Sequence, residues 1–169
     1  MAKELTLQDM YVEHLKDMYS AENQITKALP KIIKTVTSSE LKKALEHHLK
    51  ETENQVARIE QVFQSLDASP RGKKCVGMEG LLEEGKEAMA QEVASPDLMD
   101  SALIGGCQKV EHYEIRSYKD LIHMAVLLGD TKAVELLTKS LHEEVAADQK
   151  LAELGENMIT PEAIHAAVM

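Results

Sequence analysis

Apolar side chains recur at steps of three and four residues along nearly the whole chain, which is the spacing of one face of an α-helix. This pattern predicts four long helices, at about 6–36, 38–67, 95–128 and 130–155. A shorter helix is predicted at about 76–93, where several glycines weaken the helical pattern. The chain is therefore predicted to be all-α.

Capping residues indicate where these helices begin and end. Thr6 is predicted to cap the first helix and Thr37 the second, in each case with an acidic residue three positions later. Pro30 is expected to kink or interrupt the first helix, because proline lacks the backbone N–H of a helical hydrogen bond. Asp130 is predicted to cap the fourth long helix and Gly155 to end it.

The lengths of the connections predict how the helices are arranged. The first and second long helices are joined tightly, as are the third and fourth, whereas about 28 residues separate the second from the third. A link of that length lets the third helix run parallel to the second, as in the ferritin-like four-helix bundle. We therefore predict a single ferritin-like domain over 1–169, with a core at about 5–156 and a short C-terminal helix at about 160–168.

Each long helix carries an acidic side chain near its middle, on or beside the apolar stripe. These acids are Glu22 on the first helix, Glu51 on the second, Glu111 and Glu114 on the third, and Glu144 on the fourth. At about 1.5 Å per residue they lie at matching depth, and the midpoints of packed helices of similar length coincide whichever way the helices run. One such glutamate is typical of a solvated helix face, but the coincidence across four helices favours one buried layer.

A buried layer of carboxylates requires compensating positive charge, because an unpaired buried carboxylate is costly or takes up a proton. No lysine or arginine lies on the stripes in this layer, so none is expected to compensate. Two divalent cations would do so, and carboxylates with one or two imidazoles suit iron or manganese. The predicted metal ligands are Glu22, His48, Glu51, Glu111, Glu114 and Glu144.

Other polar side chains near this layer are predicted to form hydrogen bonds that orient the ligands. They are Gln55, His112, Tyr113, Glu143 and Asp148, with Tyr118 as a further candidate. Two alternatives stay open at this point. His112 could itself bind a metal, and Asp148 could simply be a polar residue where its stripe reaches the exposed end of the helix.

Charge and composition narrow the choice of partners. The 169-residue chain has a formal net charge of −10, which disfavours nucleic acid and anionic lipid as partners and favours cations. No apolar run is long enough to span a membrane, and the start, MAKELTLQDM, lacks the apolar stretch of a secretory signal. Cys75 and Cys107 are interpreted as free thiols in a reducing cytoplasm.

Five segments, in order, resemble the bacterial YciF/YciE stress-protein family, a ferroxidase family of the ferritin-like superfamily. The segments are DMYSAENQITKALPK, HLKETENQVARIEQV, KCVGMEGLLEE, QKVEHYEIRSY and LHEEVAADQKL. The resemblance implies a cytoplasmic homodimer of four-helix bundles that acts in the stress response and is similar to rubrerythrin without its rubredoxin part. It also implies a dinuclear iron site, with manganese or zinc as alternative metals.

The resemblance carries over to the ligands only in part. Ferritin-like di-iron sites usually take one glutamate from each of two helices and a Glu-x-x-His pair from each of the other two. Glu22 matches the acid of the first helix, and Glu111 or Glu114 that of the third. The histidines expected three positions after the acids of the second and fourth helices are replaced by Asn54 and Ala147. Neighbouring acids could substitute for both.

Two classes of function follow from these residues and this resemblance. The first is a ferroxidase or peroxidase-type oxidoreductase, in which the acids hold two iron ions that react with oxygen or peroxide. The second is a non-catalytic dimeric stress protein that acts by binding a partner, with protonated acids, water or zinc in its polar layer. A storage cage is less favoured, because the family that the chain resembles is dimeric.

Overall fold

In a computed structural model of the chain, which describes residues 4–158, all regular secondary structure is α-helical. Five helices follow one another: α1 Leu7–Thr35, α2 Ser39–Ser65, α3 Val76–Met89, α4 Pro96–Leu128 and α5 Thr131–Met158. The predicted all-α class is confirmed, and the short helix predicted at 160–168 lies outside the described residues. In the described part of the chain, no helix combines the length and the apolarity that a membrane span requires.

The four long helices form a bundle around one apolar core. Helix α1 packs against α2 and α4, and α5 packs against the same two helices, while the shorter α3 packs on α1 and α4. Every long helix contributes fully buried side chains to the core, among them Leu15, Ile59, Leu121 and Leu137. Each helix faces this core with a single stripe of residues, so the apolar period of the sequence corresponds to the pattern of burial.

Asp100, near the start of α4, fixes the relative directions of the helices. Its buried carboxylate accepts hydrogen bonds from the backbone N–H groups of Thr37 (2.9 Å) and Ser38 (2.7 Å), and from the Thr37 hydroxyl (2.9 Å). These contacts join the N-terminal ends of α2 and α4, so the two helices run parallel. The intervening segment 66–95, which contains α3, therefore crosses the length of the bundle, as its length predicted.

Two of the predicted helix caps are confirmed and one is wrong. The Thr6 hydroxyl accepts a hydrogen bond from the N–H at the third position of α1 (3.1 Å), and Asp130 accepts the corresponding bond in α5 (2.9 Å). The cap of α2 is Ser38, whose hydroxyl accepts from the Leu41 N–H at 3.3 Å. Thr37 does not cap this helix, because its N–H and hydroxyl are held by the acid of α4.

Neither Pro30 nor Gly155 interrupts its helix. Helix α1 continues through Pro30, and beyond the proline Ile32 is still buried in the core, which stabilises the last turns of the helix. Helix α5 continues through Gly155 to Met158, so the end predicted at this glycine is wrong. A Cβ atom at Gly155 would lie 3.4 Å from the Ile104 side chain, which is an ordinary van der Waals distance, so the packing of α5 on α4 does not require a glycine here.

Replacing Asp100 with alanine is expected to lower the free energy of unfolding by about 2–3 kcal/mol, because it removes the charged acceptor of the Thr37 and Ser38 N–H groups at the start of α2. Urea unfolding followed by circular dichroism measures this change. Asp97→Ala, which removes an exposed acid from the first turn of the same helix, is the matched control and should cost less than about 1 kcal/mol. Equal losses in the two variants would contradict the role given to Asp100.

Candidate metal centre

Four buried side chains converge in the middle of the bundle: His48 of α2, Glu111 and Glu114 of α4, and Glu144 of α5. Each offers one ligand atom, and these atoms all lie within 4.8 Å of one another. The Nε2 atom of His48 is 3.3 Å from a Glu111 oxygen and 3.9 Å from a Glu144 oxygen. None of the four side chains has more than slight exposure. The group could hold a metal ion, since carboxylates and imidazole are the usual ligands of iron and manganese.

Glu22 of α1 is a further fully buried acid coupled to this group. The Tyr118 hydroxyl donates a hydrogen bond to its carboxylate. Burial, and after it the negative charge of Glu144, raises the pKa of Glu22 well above its usual range, although the bond from Tyr118 and the charge of Arg58 act in the opposite direction. All four long helices therefore contribute to one electrostatically linked set of side chains.

Glu51 lies at the edge of the centre, outside the four-residue group. Its side chain is 22% exposed, and its carboxylate is 3.2 Å from Nδ1 of His47 and 3.7 Å from Nδ1 of His48. Burial by itself would raise the pKa of Glu51, but the contacts with His48 and His47 outweigh it and lower the pKa. Among the predicted ligands, Glu51 is thus the one most accessible to solvent, and it contacts the group through His48.

The buried group has more hydrogen-bond acceptors than donors. Buried atoms without a hydrogen-bond partner among the described residues include both ring nitrogens of His48, both carboxylate oxygens of Glu114, and one oxygen each of Glu22, Glu111 and Glu144. An unsatisfied buried polar group costs about 1–3 kcal/mol. One ligand atom from each of His48, Glu111, Glu114 and Glu144 lies within 4.8 Å of the others, which fits a cation better than a purely structural layer.

Burial also decides the protonation of the acids in α4. It raises the pKa of Glu111 and of Glu114 well above the usual range, and the negative charge of Glu144 adds to the effect in both. Without a cation, burial therefore favours the protonated form of these two acids. A bound cation would displace these protons and accept the same oxygens as ligands.

Gln55, Arg58 and Glu143 support one side of the centre. The Gln55 amide donates hydrogen bonds to Glu144 and, at 3.1 Å, to Glu143. Arg58 binds the Glu143 carboxylate through both of its terminal nitrogens, at 2.6 and 2.7 Å. The structure thus places Gln55 and Glu143 next to Glu144, and it neutralises Glu143 with an arginine.

The expectation that no arginine reaches this layer is wrong. Arg58 is 7% exposed, and besides Glu143 it donates a hydrogen bond to the Ser140 hydroxyl at 3.1 Å. The residue lies one position before Ile59 of the apolar stripe, where a long side chain can still turn inward. Its position one turn after Gln55 is the sequence signal that could have identified it, since residues three apart share a helix face.

His112 and Asp148 form a separate polar link between α4 and α5. His112 is exposed, and its Nε2 is 3.2 Å from an Asp148 oxygen, while Gln108 donates to the other oxygen at 2.9 Å. Neither residue has a hydrogen bond with the buried acids within the part of the chain that is described. The interpretation of both as partners of the ligands is therefore wrong, because His112 projects about 100° around the helix from Glu111.

Tyr113 also points away from the centre, toward α3. Its hydroxyl is 3.0 Å from the Cys75 sulphur and donates a hydrogen bond to Asp17 at 3.1 Å. A Cβ atom at Gly77 would lie 2.9 Å from the Tyr113 ring, so this contact requires a glycine in α3. Tyr113 therefore anchors α3 to the bundle and does not orient the acids as predicted. The tyrosine that does so is Tyr118.

The fold and the site together define an all-α bundle protein with a candidate metal centre of carboxylates and one histidine. Residues 6–164 match the family described as a domain of unknown function, DUF892, and the chain belongs to that family. It is 42% identical to protein YciF of Escherichia coli (strain K12) over 159 residues, which is 94% of this chain and 95% of that protein. The predicted resemblance to the YciF family is confirmed.

Solved structures show the same fold. The crystal structure of the E. coli stress protein YciF matches with a TM-score of 0.88 and 42% identity, covering 92% of this chain and 98% of that one. YcfI of Rhodopseudomonas palustris matches with a TM-score of 0.84 and 43% identity, covering 88% and 94%. A protein from Xanthomonas campestris, 23% identical with a TM-score of 0.74 over 90% and 93% of the chains, shares the fold alone.

The stability of the metal-free protein is expected to fall as the pH rises above the ordinary carboxyl pKa of about 4.3. Because burial raises the pKa of Glu22, Glu111 and Glu114, the folded protein holds protons that the unfolded chain has released above a carboxyl pKa of about 4.3. This stabilisation is complete below that pH and is lost as the pH passes through the folded-state pKa values. Urea unfolding of chelator-treated protein at several pH values measures the slope, and Glu111→Gln with Glu114→Gln should flatten it. An unchanged slope in this variant would contradict the assignment.

Adding Co(II) or Mn(II) to the metal-free protein is expected to raise its unfolding temperature, and to do so more at pH 8 than at pH 5.5, because the ligands must lose their protons. At a metal concentration of 100 times Kd, the gain for one site is about 2.7 kcal/mol. The Glu111→Gln, Glu144→Gln variant should lose the shift, whereas Glu53→Gln, at an exposed position of α2, should keep it. A shift of equal size in all three proteins would indicate binding elsewhere.

Proposed function

We propose that this protein is a cytoplasmic stress-response protein whose buried centre binds two iron ions and oxidises Fe(II) with oxygen or peroxide. The observation that carries the proposal is the convergence of His48, Glu111, Glu114 and Glu144 with orphaned ligand atoms in a space that water barely reaches. The similarity to the E. coli stress protein YciF supports the stress-related part of the proposal.

The roles of the side chains follow from their contacts. Glu111, Glu114, Glu144 and His48 would hold the metal ions, with Glu22 completing the set from α1. Iron bound there would supply one-electron redox chemistry, in which two Fe(II) ions would give one electron each to dioxygen, and dioxygen with two protons would become hydrogen peroxide. The acids, which would release protons when the metal binds, would be a local source of protons for that reduction.

The surrounding residues would keep the ligands in place. The Gln55 amide holds one Glu144 oxygen, and the Tyr118 hydroxyl holds one oxygen of Glu22. Arg58 forms an ion pair with Glu143, so Glu143 is a fixed acceptor for Gln55 rather than an uncompensated negative charge in the centre. Partners of this kind typically change metal affinity or activity by about 10–100-fold when they are removed.

A cavity of about 590 Å³ between α2 and α5 is the proposed access route for cations. Glu51, His47 and His48 line it on the side of the centre, and its outer walls include Lys43, Lys150 and several apolar side chains. The contacts with the two histidines lower the pKa of Glu51, so this carboxylate is negatively charged at neutral pH and attracts divalent ions. Its position explains how it can serve the centre without belonging to the four-residue group.

A homodimer is part of this proposal, since the family that the chain resembles is dimeric. The second candidate function is a non-catalytic one, in which the dimer acts by binding a partner. The similarity to YcfI favours this alternative, because YcfI is described as a proposed structural protein. In that case the centre would hold zinc, or remain protonated, and would serve the stability of the bundle alone.

Fe(II) added without oxygen at two equivalents per chain is expected to oxidise faster in the presence of the protein than in buffer once air is admitted. Loss of Fe(II) measured with a colorimetric chelator, together with the ultraviolet absorbance of oxo-bridged iron, follows the reaction. The Glu111→Ala, Glu144→Ala variant should slow the protein-dependent rate by at least about tenfold, because the metals lose two ligands. Glu53→Ala is the matched control, and a rate equal to that in buffer for the unmodified protein would rule out this function.

A variant that folds but lacks the centre separates the two candidate functions. Glu51→Ala with Glu111→Ala should abolish Fe(II) oxidation, and cells that carry it should lose stress survival if the activity is the function. Circular dichroism and sedimentation provide the control for folding and assembly. Normal survival with a folded variant would instead favour the structural role.

A further inference from the structure

An apolar cavity of about 400 Å³ reaches the centre from the side opposite to the proposed access route. It lies between α1, α3 and α4, and its walls include Ile25, Leu103 and Val110. His48 and Glu111 also line it, so the cavity leads from the surface of the bundle to the buried group. Its volume falls within the range of about 300–1,000 Å³ that is typical of small-molecule sites.

Three glycines inside helices line this cavity: Gly85 of α3, and Gly105 and Gly106 of α4. A Cβ atom added to any of them would meet no neighbouring atom within 4 Å, so close packing of helices does not require them. Larger side chains at these positions would extend into the space between α3 and α4, and the glycines leave that space to a ligand.

The mouth of the cavity is positively charged, although the chain as a whole is acidic. Its exposed charged residues are Lys27, Lys31, Lys86, Lys109 and Glu84. Two of the lysines are paired with acids of α3. Lys27 and Lys31, one turn apart on α1, form no ion pair within the described residues. In a protein with a net charge of −10, such a mouth selects for an anionic group.

We propose that this cavity binds an amphiphile with one anionic head group and an unbranched apolar chain, the class of a medium-chain fatty acid. The head group would lie at Lys27 and Lys31, and the chain would pass between the glycines of α3 and α4 toward His48. The charge of the mouth and the apolar walls together fit this class better than a neutral or a polar ligand. The proposal goes beyond the oxidation of iron and needs no bound metal.

Titration of the full-length, chelator-treated protein with decanoate, kept below its micellar concentration, tests the site by isothermal calorimetry. We expect saturable binding of one decanoate per chain. Octanoate should bind about fifteenfold more weakly, because each methylene group that is removed from an apolar site costs about fourfold in affinity. Absence of saturable decanoate binding would overturn the proposal.

Filling the cavity tests its location. Gly85→Leu and Gly106→Leu should each fold, since leucine favours helix and its Cβ meets open space, and each should weaken decanoate binding by about fifteenfold or more by excluding at least two methylene groups. Gly80→Leu is the matched control on α3, because its Cβ also meets open space but the residue does not line the cavity. Decanoate binding unchanged in both cavity variants would overturn the proposed location.

Removal of the charge tests the head group. Lys27→Gln with Lys31→Gln should weaken decanoate binding by roughly two- to fivefold per lysine, as for exposed ion pairs, and should leave decanol binding unchanged. Lys34→Gln, on the same helix outside the cavity, is the control. Equal weakening of decanoate and decanol would overturn the assignment of the lysines to the head group.

Sedimentation distinguishes a small ligand from a second copy of the chain. If Gly85→Leu or Gly106→Leu dissociates an oligomer and decanoate does not bind the unmodified protein, the apolar cavity belongs to a subunit interface and the proposal fails. The calorimetry uses metal-free protein, so its outcome is independent of the iron oxidation assay. Failure of the fatty-acid proposal therefore does not imply failure of the iron-oxidation proposal, and the reverse also holds.

Discussion

Negative charge confined to an apolar bundle is the constraint on which the rest of this structure depends. Glu22, Glu114 and Glu144 are fully buried, and each comes from a different helix. Bringing such groups together costs free energy unless protons or cations neutralise them. The packing of the surrounding apolar residues must therefore hold the four helices together against the repulsion between these carboxylates. The hydrogen bonds of Asp100 contribute by joining the starts of α2 and α4.

Different groups contact the buried acids on different sides of the centre. One side has a guanidinium group, since Arg58 takes one acid of α5 and leaves Glu144 to the Gln55 amide. Another side has the buried Tyr118 hydroxyl. The side facing His48 and Glu51 has imidazole groups and opens into the cavity between α2 and α5. The centre is therefore held by fixed hydrogen-bond donors on two sides and is open on the third.

The fold and the burial of four of the five acids could be predicted because both depend on a local period. The fifth, Glu51, was expected in the group and lies at its edge. A residue's face on a helix follows from counting 3.6 residues per turn, so Glu22 and Glu144 could be placed without knowing their neighbours. The direction of a side chain at the border of a stripe could not be predicted, because it depends on the helix that packs there. Arg58, which turns inward, and Tyr113, which turns to α3, are both such residues. The prediction that Thr37 caps α2 was wrong for a related reason, since Asp100, which binds Thr37, lies 63 positions away in the sequence.

His48 lines both the apolar cavity and the cavity between α2 and α5, and no other described residue lines the two. Both cavities therefore meet the centre at one imidazole ring. A substitution at this position would change the walls of both cavities at once, whereas a substitution at any other lining residue would change one cavity and leave the other as it is.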